Sequence, residues 1–166
     1  MPHACSLATK FSSLLRRCRH RSATKPGQQT HTQILTHGLL MDPTLQTDLI
    51  LMYSRCSRLN FARHLFDQMP HRTMHSWNIL ISSYVQSSLY HQALSLFSEL
   101  LSSNTTPDHF TLPPLFKACA AMKNLSNGTG LHCWAVKLRF DAHVVVMTSV
   151  LDMYVKLECM VDACKV

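Results

Sequence analysis

The chain has 166 residues, of which 46% are hydrophobic, 4 are glycine and 7 are cysteine, and its formal net charge is +7. No apolar run is long enough to span a membrane, and an odd number of cysteines without C-x-x-C spacing favours reduced, buried thiols over a disulfide framework. Residues 1–41 contain six of the 16 basic residues and no acid, so the remainder, with 10 bases and 9 acids, lacks the charge of a strongly basic nucleic-acid surface.

The first predicted element is the basic N-terminal segment. Its lysines and arginines alternate with serines and threonines, and this acid-free composition is typical of an organellar transit peptide. We therefore predict a transit segment over residues 1–25 that overlaps the first folded element. The alternative is that these residues form a basic helix of the folded domain.

An internal repeat then runs through the chain. An apolar pair is followed three residues later by a larger or sulfur-containing anchor, which places all three side chains on one helix face. The anchors lie 35, 31, 35 and 35 residues apart. They are Cys18, Tyr53, Tyr84, Cys119 and Tyr154, and the pairs are Leu14-Leu15, Leu49-Ile50, Leu80-Ile81, Leu115-Phe116 and Val150-Leu151. We call each of these helices helix A.

A second helix, helix B, follows each helix A. A small residue stands nine positions after each anchor, where it allows close approach of two helices, and a larger one follows four positions later. The small residues are Gly27, Ala62, Ala93, Gly128 and Ala163, and the larger ones are His31, Phe66, Phe97 and His132. A single helical hairpin cannot bury its apolar face, so the pattern predicts stacked copies.

The predicted repeats are 8–42, 43–73, 74–108, 109–143 and an incomplete 144–166. Asp42-Pro43 is a helix start signal, an N-cap residue before proline at the first helical position. Asp108 offers an N-cap to the next helix A. The final repeat stops inside helix B, which predicts the N-terminal part of a longer protein or a truncated product.

Two segments carry a family resemblance. The stretches TDLILMYSRCSRLNFARHLFDQMPHRTMHSWNILISSY and PDHFTLPPLFKACAAMKNLSNGTGLH resemble plant pentatricopeptide repeats of the PLS class. The order of lengths agrees with that class: long (8–42), short (43–73), standard (74–108), long (109–143) and the start of a short repeat. The resemblance covers residues 8–166 and implies an all-α, right-handed α-solenoid without the C-terminal extension domains of the class.

The resemblance also implies a function. Such proteins bind single-stranded RNA in mitochondria or plastids and serve as sequence-specific adaptors for C-to-U editing or other RNA processing. The implied partners are organellar RNA and editing-complex proteins, with no membrane, DNA or cofactor. We expect mitochondrial localisation, with the chloroplast as the alternative.

Reading residues are implied at the fifth and last positions of a repeat, with the second flanking the base. The standard repeat gives Asn78 and Asp108, the family's uridine-reading combination, with His75 flanking. The other implied positions are Thr47 and Thr73 in the short repeat, Ser12 and Asp42 in the first long repeat, Pro113 and His143 in the second long repeat, and Thr148 in the incomplete one. Thr73 departs from the usual Asn or Asp, and long repeats read bases poorly in this family.

Structural alternatives exist for these residues. Asp42 and Asp108 could serve only as N-caps, Asn78 and Thr47 could be ordinary polar helix positions, and we expect His31 and His132 to be interior. Glycine is common in the family at five turn positions that hold other residues here, and a positive φ would cost each roughly 1 kcal/mol. These positions are Ser57, Ser88, Asn104, Arg139 and Glu158.

The sequence predicts no enzyme. The H-x-E and P-C-x-x-C motifs of a cytidine-deaminase zinc site are missing, and Cys159 and Cys164, five residues apart, cannot bind one metal ion from a straight helix. Two other functions compete with RNA binding: a protein-interaction scaffold of the tetratricopeptide type, and a truncated product without activity. Tetratricopeptide repeats keep a period of 34 residues, which differs from the repeat lengths of this chain and argues against the protein-interaction scaffold.

Overall fold

The computed structural model describes residues 2–20 and 23–158, and within them the chain forms nine α-helices and no strand. The helices are α1 (Pro2–His20), α2 (Thr24–Thr36), α3 (Pro43–Arg55), α4 (Leu59–Asp67), α5 (Met74–Gln86), α6 (Tyr90–Ser102), α7 (Leu112–Ala121), α8 (Leu125–Lys137) and α9 (Val144–Lys156). The odd-numbered helices are the predicted A helices and the even-numbered ones the B helices. The all-α class is confirmed, and no helix in the described residues is long and apolar enough to cross a membrane.

The chain divides into two compact units, residues 1–83 and 84–166, and the division falls inside α5. In the first compact unit, α1 packs against α2 and α3, and α3 packs against α2 and α4. In the second, α7 packs against α6, α8 and α9, and α8 also contacts α9. The A helices α1, α3 and α7 therefore each pack against their own B helix and against a neighbouring A helix.

The predicted pairs and anchors form the core. All five anchors are buried, and so are both members of the pair in α3, α5 and α7. In α1 only Leu15 is buried while Leu14 is 37% exposed, and in α9 only Val150 is buried while Leu151 is 39% exposed. The two residues of a pair thus face opposite neighbours, the first toward the preceding helix A and the second toward the following one.

The start of α3 agrees with its predicted signal. The Asp42 side chain accepts hydrogen bonds from the backbone N–H groups of Thr44 (2.8 Å) and Leu45 (3.0 Å), with Pro43 opening the helix. These two donors would otherwise lack an intrahelical acceptor. Asp42 is therefore a true N-cap, as one of the two interpretations held.

The start of α7 differs from the prediction. The helix begins at Leu112 with Thr111 as its N-cap, three residues after the expected start next to Asp108. Pro113 and Pro114 explain the delay, because neither has an N–H to donate to the carbonyl four residues earlier. Asp108 instead closes the turn before the helix, where it accepts hydrogen bonds from the N–H groups of Phe110 (2.9 Å) and Thr111 (3.0 Å).

The turns have the predicted backbone strain. All five positions expected to need a positive φ have one, between 53° and 60°. Lys123, at the corresponding place between α7 and α8, also has a φ of 50° and was missed by sequence reasoning. Each side chain here occupies a conformation that glycine adopts more readily.

In both long repeats, a glycine of helix B packs against a methionine of the helix A that follows. A Cβ atom added to Gly27 would lie 2.5 Å from Met52 Sδ, and one added to Gly128 would lie 2.5 Å from Met153 Sδ. A side chain at either position would therefore force the opposing methionine to move, and glycine leaves room for the close helix approach that the sequence predicted. We call each of these contacts a glycine–methionine joint.

A histidine–tyrosine pair completes each joint. His31 Nδ1 lies 3.0 Å from the Tyr53 hydroxyl, and His132 Nδ1 lies 3.1 Å from the Tyr154 hydroxyl. Both histidines are half-buried, and burial lowers the pKa of His31 and His132 below the usual value for histidine. Both are thus interior residues with a packing role, as expected.

The cysteines in the described side chains are free. Cys18 and Cys119 are buried, and burial raises the pKa of the Cys119 thiol to about 11. Cys133 is exposed, so the prediction of buried thiols is wrong for it. Cys159 and Cys164 lie outside the described residues.

Candidate functional site

The last residues of three repeats share one local geometry. Thr73 Oγ1 accepts a hydrogen bond from the Ser76 N–H at 3.2 Å, just as Asp42 and Asp108 accept from N–H groups two and three residues later. Oxygen-bearing side chains at helix starts form such bonds with N–H groups that lack helical partners. Three predicted end-of-repeat residues are therefore held in place by the backbone. His143, the fourth, makes no side-chain cap bond.

The fifth-position residues lie on the A helices: Thr47, Asn78, Pro113 and Thr148 are near the starts of their helices, whereas Ser12 is in the middle of α1. The hydroxyls of Thr47 and Thr148 donate to the carbonyls four residues earlier, those of Pro43 (2.8 Å) and Val144 (2.7 Å). Ser12 is buried and its hydroxyl donates to the Asp48 carboxylate. The polar group of Ser12 is thus already used inside the first compact unit.

A groove in the first compact unit brings two predicted site residues together. We call it the first groove. Ser12 and Asp42, the reading positions of the first long repeat, both line it, with Arg16 beside them. Its other lining residues are Ala8, Thr9, Leu39, Thr44 and Leu45.

A second groove lies in the second compact unit. Pro113 and Thr148, the fifth residues of two successive repeats, line it together. Lys117 stands one helical turn after Pro113, and Asp152 one turn after Thr148. The remaining lining residues are Val144, Val145 and Ser149. Both grooves therefore run along the A-helix surface where the fifth positions lie.

The second-position residues include two that sequence reasoning missed. His75 is exposed, as a flanking residue must be. The 35-residue register places Phe110 and Val145 at the same position of the next two repeats, and they are 65% and 58% exposed. The spacing alone could have found them, because they follow His75 by 35 and 70 residues.

Aromatic rings gather around Phe110. The His109 ring lies 4.1 Å from that of Phe110 and 4.6 Å from that of His143, between centroids, and Phe140 is within 6.4 Å of His143. His143 Nδ1 is buried and has no hydrogen-bond partner in the described part of the chain. The end of the second long repeat is therefore an imidazole and phenyl cluster, where the first long repeat has a capping carboxylate.

Asn78 and Asp108 lie in different compact units. Asn78 is half-buried on α5 in the first, and Asp108 is half-buried in the turn before α7 in the second. A third hydrogen bond, from the Thr111 hydroxyl (2.9 Å), also reaches the Asp108 carboxylate. Asp108 thus holds the turn while Thr111 is the N-cap of α7, so the prediction that Asp108 is the N-cap of this helix is wrong. Its pairing with Asn78 stays a prediction.

The chemistry that these surfaces offer is binding chemistry. Hydroxyls, carboxylates and two basic side chains line the grooves, and exposed apolar rings and methyl groups stand beside them. Across the described residues, no three His, Cys, Asp or Glu side chains are placed to hold a metal ion. An extended polymer with polar edges and flat rings would match such a surface.

Comparison with known proteins gives the repeat type. Residues 72–121 match the PPR repeat family. The chain is 34% identical over 156 residues to the pentatricopeptide repeat-containing protein At4g39530 of Arabidopsis thaliana, covering 94% of this chain and 19% of the relative. It is 33% identical over 146 residues to the putative pentatricopeptide repeat-containing protein At3g13770, mitochondrial, of the same plant, covering 88% of this chain and 23% of the relative.

A third relative carries a different organelle in its name. The pentatricopeptide repeat-containing protein At5g52850, chloroplastic, of Arabidopsis thaliana is 33% identical over 144 residues, covering 87% of this chain and 16% of the relative. The crystal structure of the maize pentatricopeptide repeat protein PPR10 matches 93% of this chain and 23% of its own with a TM-score of 0.77 and 19% identity. The fold is thus an all-α repeat solenoid with PPR repeats, and the chain spans about a fifth of the length of these curated relatives.

Proposed function

We propose that this PPR-repeat chain binds single-stranded RNA through its A-helix surface. The observation that supports this most directly is that three predicted fifth-position residues, Ser12, Pro113 and Thr148, line grooves on the A-helix surface. A polymer lying along such a surface meets hydrogen-bonding groups once per repeat, which is how helical-repeat proteins read one base per repeat. The pentatricopeptide repeat-containing relative At4g39530 aligns with 94% of this chain, which also supports the proposal.

We further propose that the repeats are of the PLS class. The alternation of long, short and standard lengths supports this, and so does the glycine–methionine joint, which occurs in both long repeats and in no other described repeat. Within that class the chain would act as a sequence-specific adaptor for C-to-U editing or other RNA processing, with editing-complex proteins as partners.

Asn78 and Asp108 are the proposed base readers. An amide on helix A can pair with the Watson–Crick edge of a base, and a carboxylate at the repeat end can support it directly or through water. This combination should prefer uridine. Replacing Asp108 by Asn should shift the preference toward cytidine by about 1 kcal/mol, the net value of one hydrogen bond.

The test compares four RNAs that differ only at the base opposite residues 74–108. Binding of the 166-residue chain and of its Asp108→Asn variant would be measured at one low salt concentration. Asn keeps an oxygen for the N–H groups of Phe110 and Thr111, so the turn should survive. Asp42→Asn is the matched control, because it makes the same change at a capping carboxylate of a long repeat.

We expect uridine preference in the unchanged chain, a shift in Asp108→Asn and none in Asp42→Asn. Equal binding of all four RNAs would contradict a reading role. So would a similar loss for every base in Asp108→Asn. Binding of peptides but not RNA would instead support the scaffold function.

Organellar localisation is the other part of the proposal. Relatives named mitochondrial and chloroplastic support it, and so does the basic, acid-free start of the chain. Residues 1–41 fused to a fluorescent protein should enter mitochondria, with plastids second. The control fusion replaces Arg16, Arg17, Arg19 and Arg21 by Gln, and cytosolic fluorescence from the unchanged fusion would refute the proposal.

A further inference from the structure

Two basic residues occupy the same place in different repeats. Arg16 on α1 and Lys117 on α7 are both the ninth residue of their repeats, one helical turn after the fifth position. Both are exposed, and each lines the groove of its own compact unit. Their register means that each cation stands beside a predicted reading position.

The acids of the first groove and its surroundings already have partners. Asp42 accepts the N–H groups of Thr44 and Leu45, and Asp48 accepts the Ser12 hydroxyl. Arg16 takes part in no hydrogen bond or ion pair within the described residues. In the first groove, therefore, the Arg16 guanidinium has no hydrogen-bond or ion-pair partner within the described residues, whereas the nearby carboxylates already accept hydrogen bonds.

The second groove has the same arrangement. Asp152 forms an ion pair with Lys156 at 2.6 Å, in which the two side chains are one helical turn apart. Lys117 makes no such pair in the described part of the chain. Other basic residues are placed differently: Lys137 lies 4.6 Å from the ring centre of Trp134 on α8, a B helix.

We propose that Arg16 and Lys117 each bind a phosphate of the RNA backbone and so hold the strand beside the reading positions. This rests on the proposed RNA-binding function and adds the residues that supply its sequence-independent part. An arginine can contact two phosphate oxygens at once, and a lysine contacts phosphate as a point charge. Contacts of this kind position a nucleic acid without reading its sequence.

The test uses two double variants with equal net charge. Arg16→Gln with Lys117→Gln removes both groove cations. Lys25→Gln with Lys137→Gln is the matched control, because it removes one exposed lysine from a B helix in each compact unit. The dissociation constant for a fluorescein-labelled, 20-nucleotide single-stranded RNA of mixed sequence would be measured between 0.05 and 0.5 M KCl, after circular dichroism has shown equal helix content.

Each phosphate contact contributes about 0.7 to the slope of log affinity against log salt for single strands. The groove variant should therefore lose about 1.4 in slope. This corresponds to roughly 25-fold weaker binding at 0.1 M salt, taking the contribution of the phosphate contacts to the affinity as zero at 1 M salt. The control variant should keep its slope, and uridine preference in the four-RNA comparison should persist in both.

Equal losses in the two double variants would overturn the inference, because bulk charge would then explain the effect. Loss of base preference at an unchanged slope would also overturn it, since the cations would then act on bases. If the unchanged chain discriminates bases but the groove variant keeps the salt dependence of its affinity, this inference is refuted and the proposed RNA-binding function is not. An unchanged chain that binds no RNA would refute both this inference and the proposed function.

Discussion

Replacing glycine by alanine at two places in α8 should give opposite results. Both Gly128 and Gly130 lie in this helix, so alanine removes the same helix-propensity penalty of about 1 kcal/mol at each. A Cβ added at Gly130 meets nothing within 4 Å. Gly130→Ala should therefore stabilise the chain by about 1 kcal/mol.

The added methyl group at Gly128 meets the following helix. It would lie 2.5 Å from Met153 Sδ and 3.1 Å from Met153 Cε, and Met153 is fully buried. Overpacking of this kind typically costs about 1–3 kcal/mol, although the flexible methionine can move more easily than most core side chains. Because the propensity gain is the same at both positions and cancels in the comparison, Gly128→Ala should be about 1–3 kcal/mol less stable than Gly130→Ala.

Urea unfolding followed by circular dichroism measures this difference. For a chain of this size, each kcal/mol also changes the melting temperature by about 2–4 °C. A double-mutant cycle with Met153→Ala identifies the cause, since the smaller residue should remove most of the penalty for alanine at position 128. Gly27→Ala repeats the experiment independently in the first compact unit, where Met52 is the opposing residue.

Equal stabilities of Gly128→Ala and Gly130→Ala would refute the reasoning. They would show that α8 and α9 separate slightly without cost and that glycine is not required for their approach. A penalty that persists in the Met153→Ala background would show that another contact limits the site.

The remaining predictions concern titration, capping and packing. Burial lowers the pKa of His31 and His132, so the unfolded chain binds more protons than the folded chain as pH falls below about 6.5, and stability should decrease there. Replacing both histidines by Gln should reduce the pH dependence of the free energy of unfolding, measured with urea between pH 7 and 5. An unchanged pH dependence would contradict this. Asp108→Ala should lower the melting temperature, because the turn before α7 loses the hydrogen bonds from Phe110 and Thr111, worth about 1 kcal/mol, whereas Asp108→Asn should change it little. Equal melting temperatures for the two variants would argue against a role of this side chain in holding the turn. Leu15→Ala should cost about 2–5 kcal/mol in urea unfolding and Leu14→Ala clearly less, because only Leu15 is buried; similar losses would show that the two faces of α1 are not distinguished by packing.

The helix pairs were predictable because the periodic signal is strong and local. The apolar pairs and anchors repeat at helical spacing, and burial of all five anchors confirms the face they define. The strained turns were also predictable, since non-glycine residues stood where the family has glycine. Lys123 was missed although it occupies the corresponding turn of its own repeat.

The start of α7 shows the limit of arguing from one signal. Asp108 is a good capping residue, and the repeat register placed it directly before a helix. Two consecutive prolines, Pro113 and Pro114, remove hydrogen bonds that the first turn would need, and the helix begins later. The two prolines therefore outweigh the capping residue in deciding where α7 begins.

The candidate site was predictable in its positions and less so in its chemistry. Three of the fifth positions, Ser12, Pro113 and Thr148, line the A-helix grooves, since a regular register fixes which residues share a face. What surrounds them depends on tertiary contacts between distant residues, such as the bond from Ser12 to Asp48. The basic residues Arg16 and Lys117 stand at the ninth position of their repeats, outside the second, fifth and last positions to which the family resemblance gives a role.

The glycine–methionine joint limits how such repeats can be exchanged. Helix B of a long repeat fits a helix A that carries Met-Tyr, as in Met52-Tyr53 and Met153-Tyr154. The other A helices have Arg17-Cys18, Ser83-Tyr84 and Ala118-Cys119 at these positions. A repeat moved as a whole would separate the two halves of its joint. The natural cassette for recombination or protein engineering is therefore one helix B together with the helix A that follows it, cut within the turns inside the hairpins.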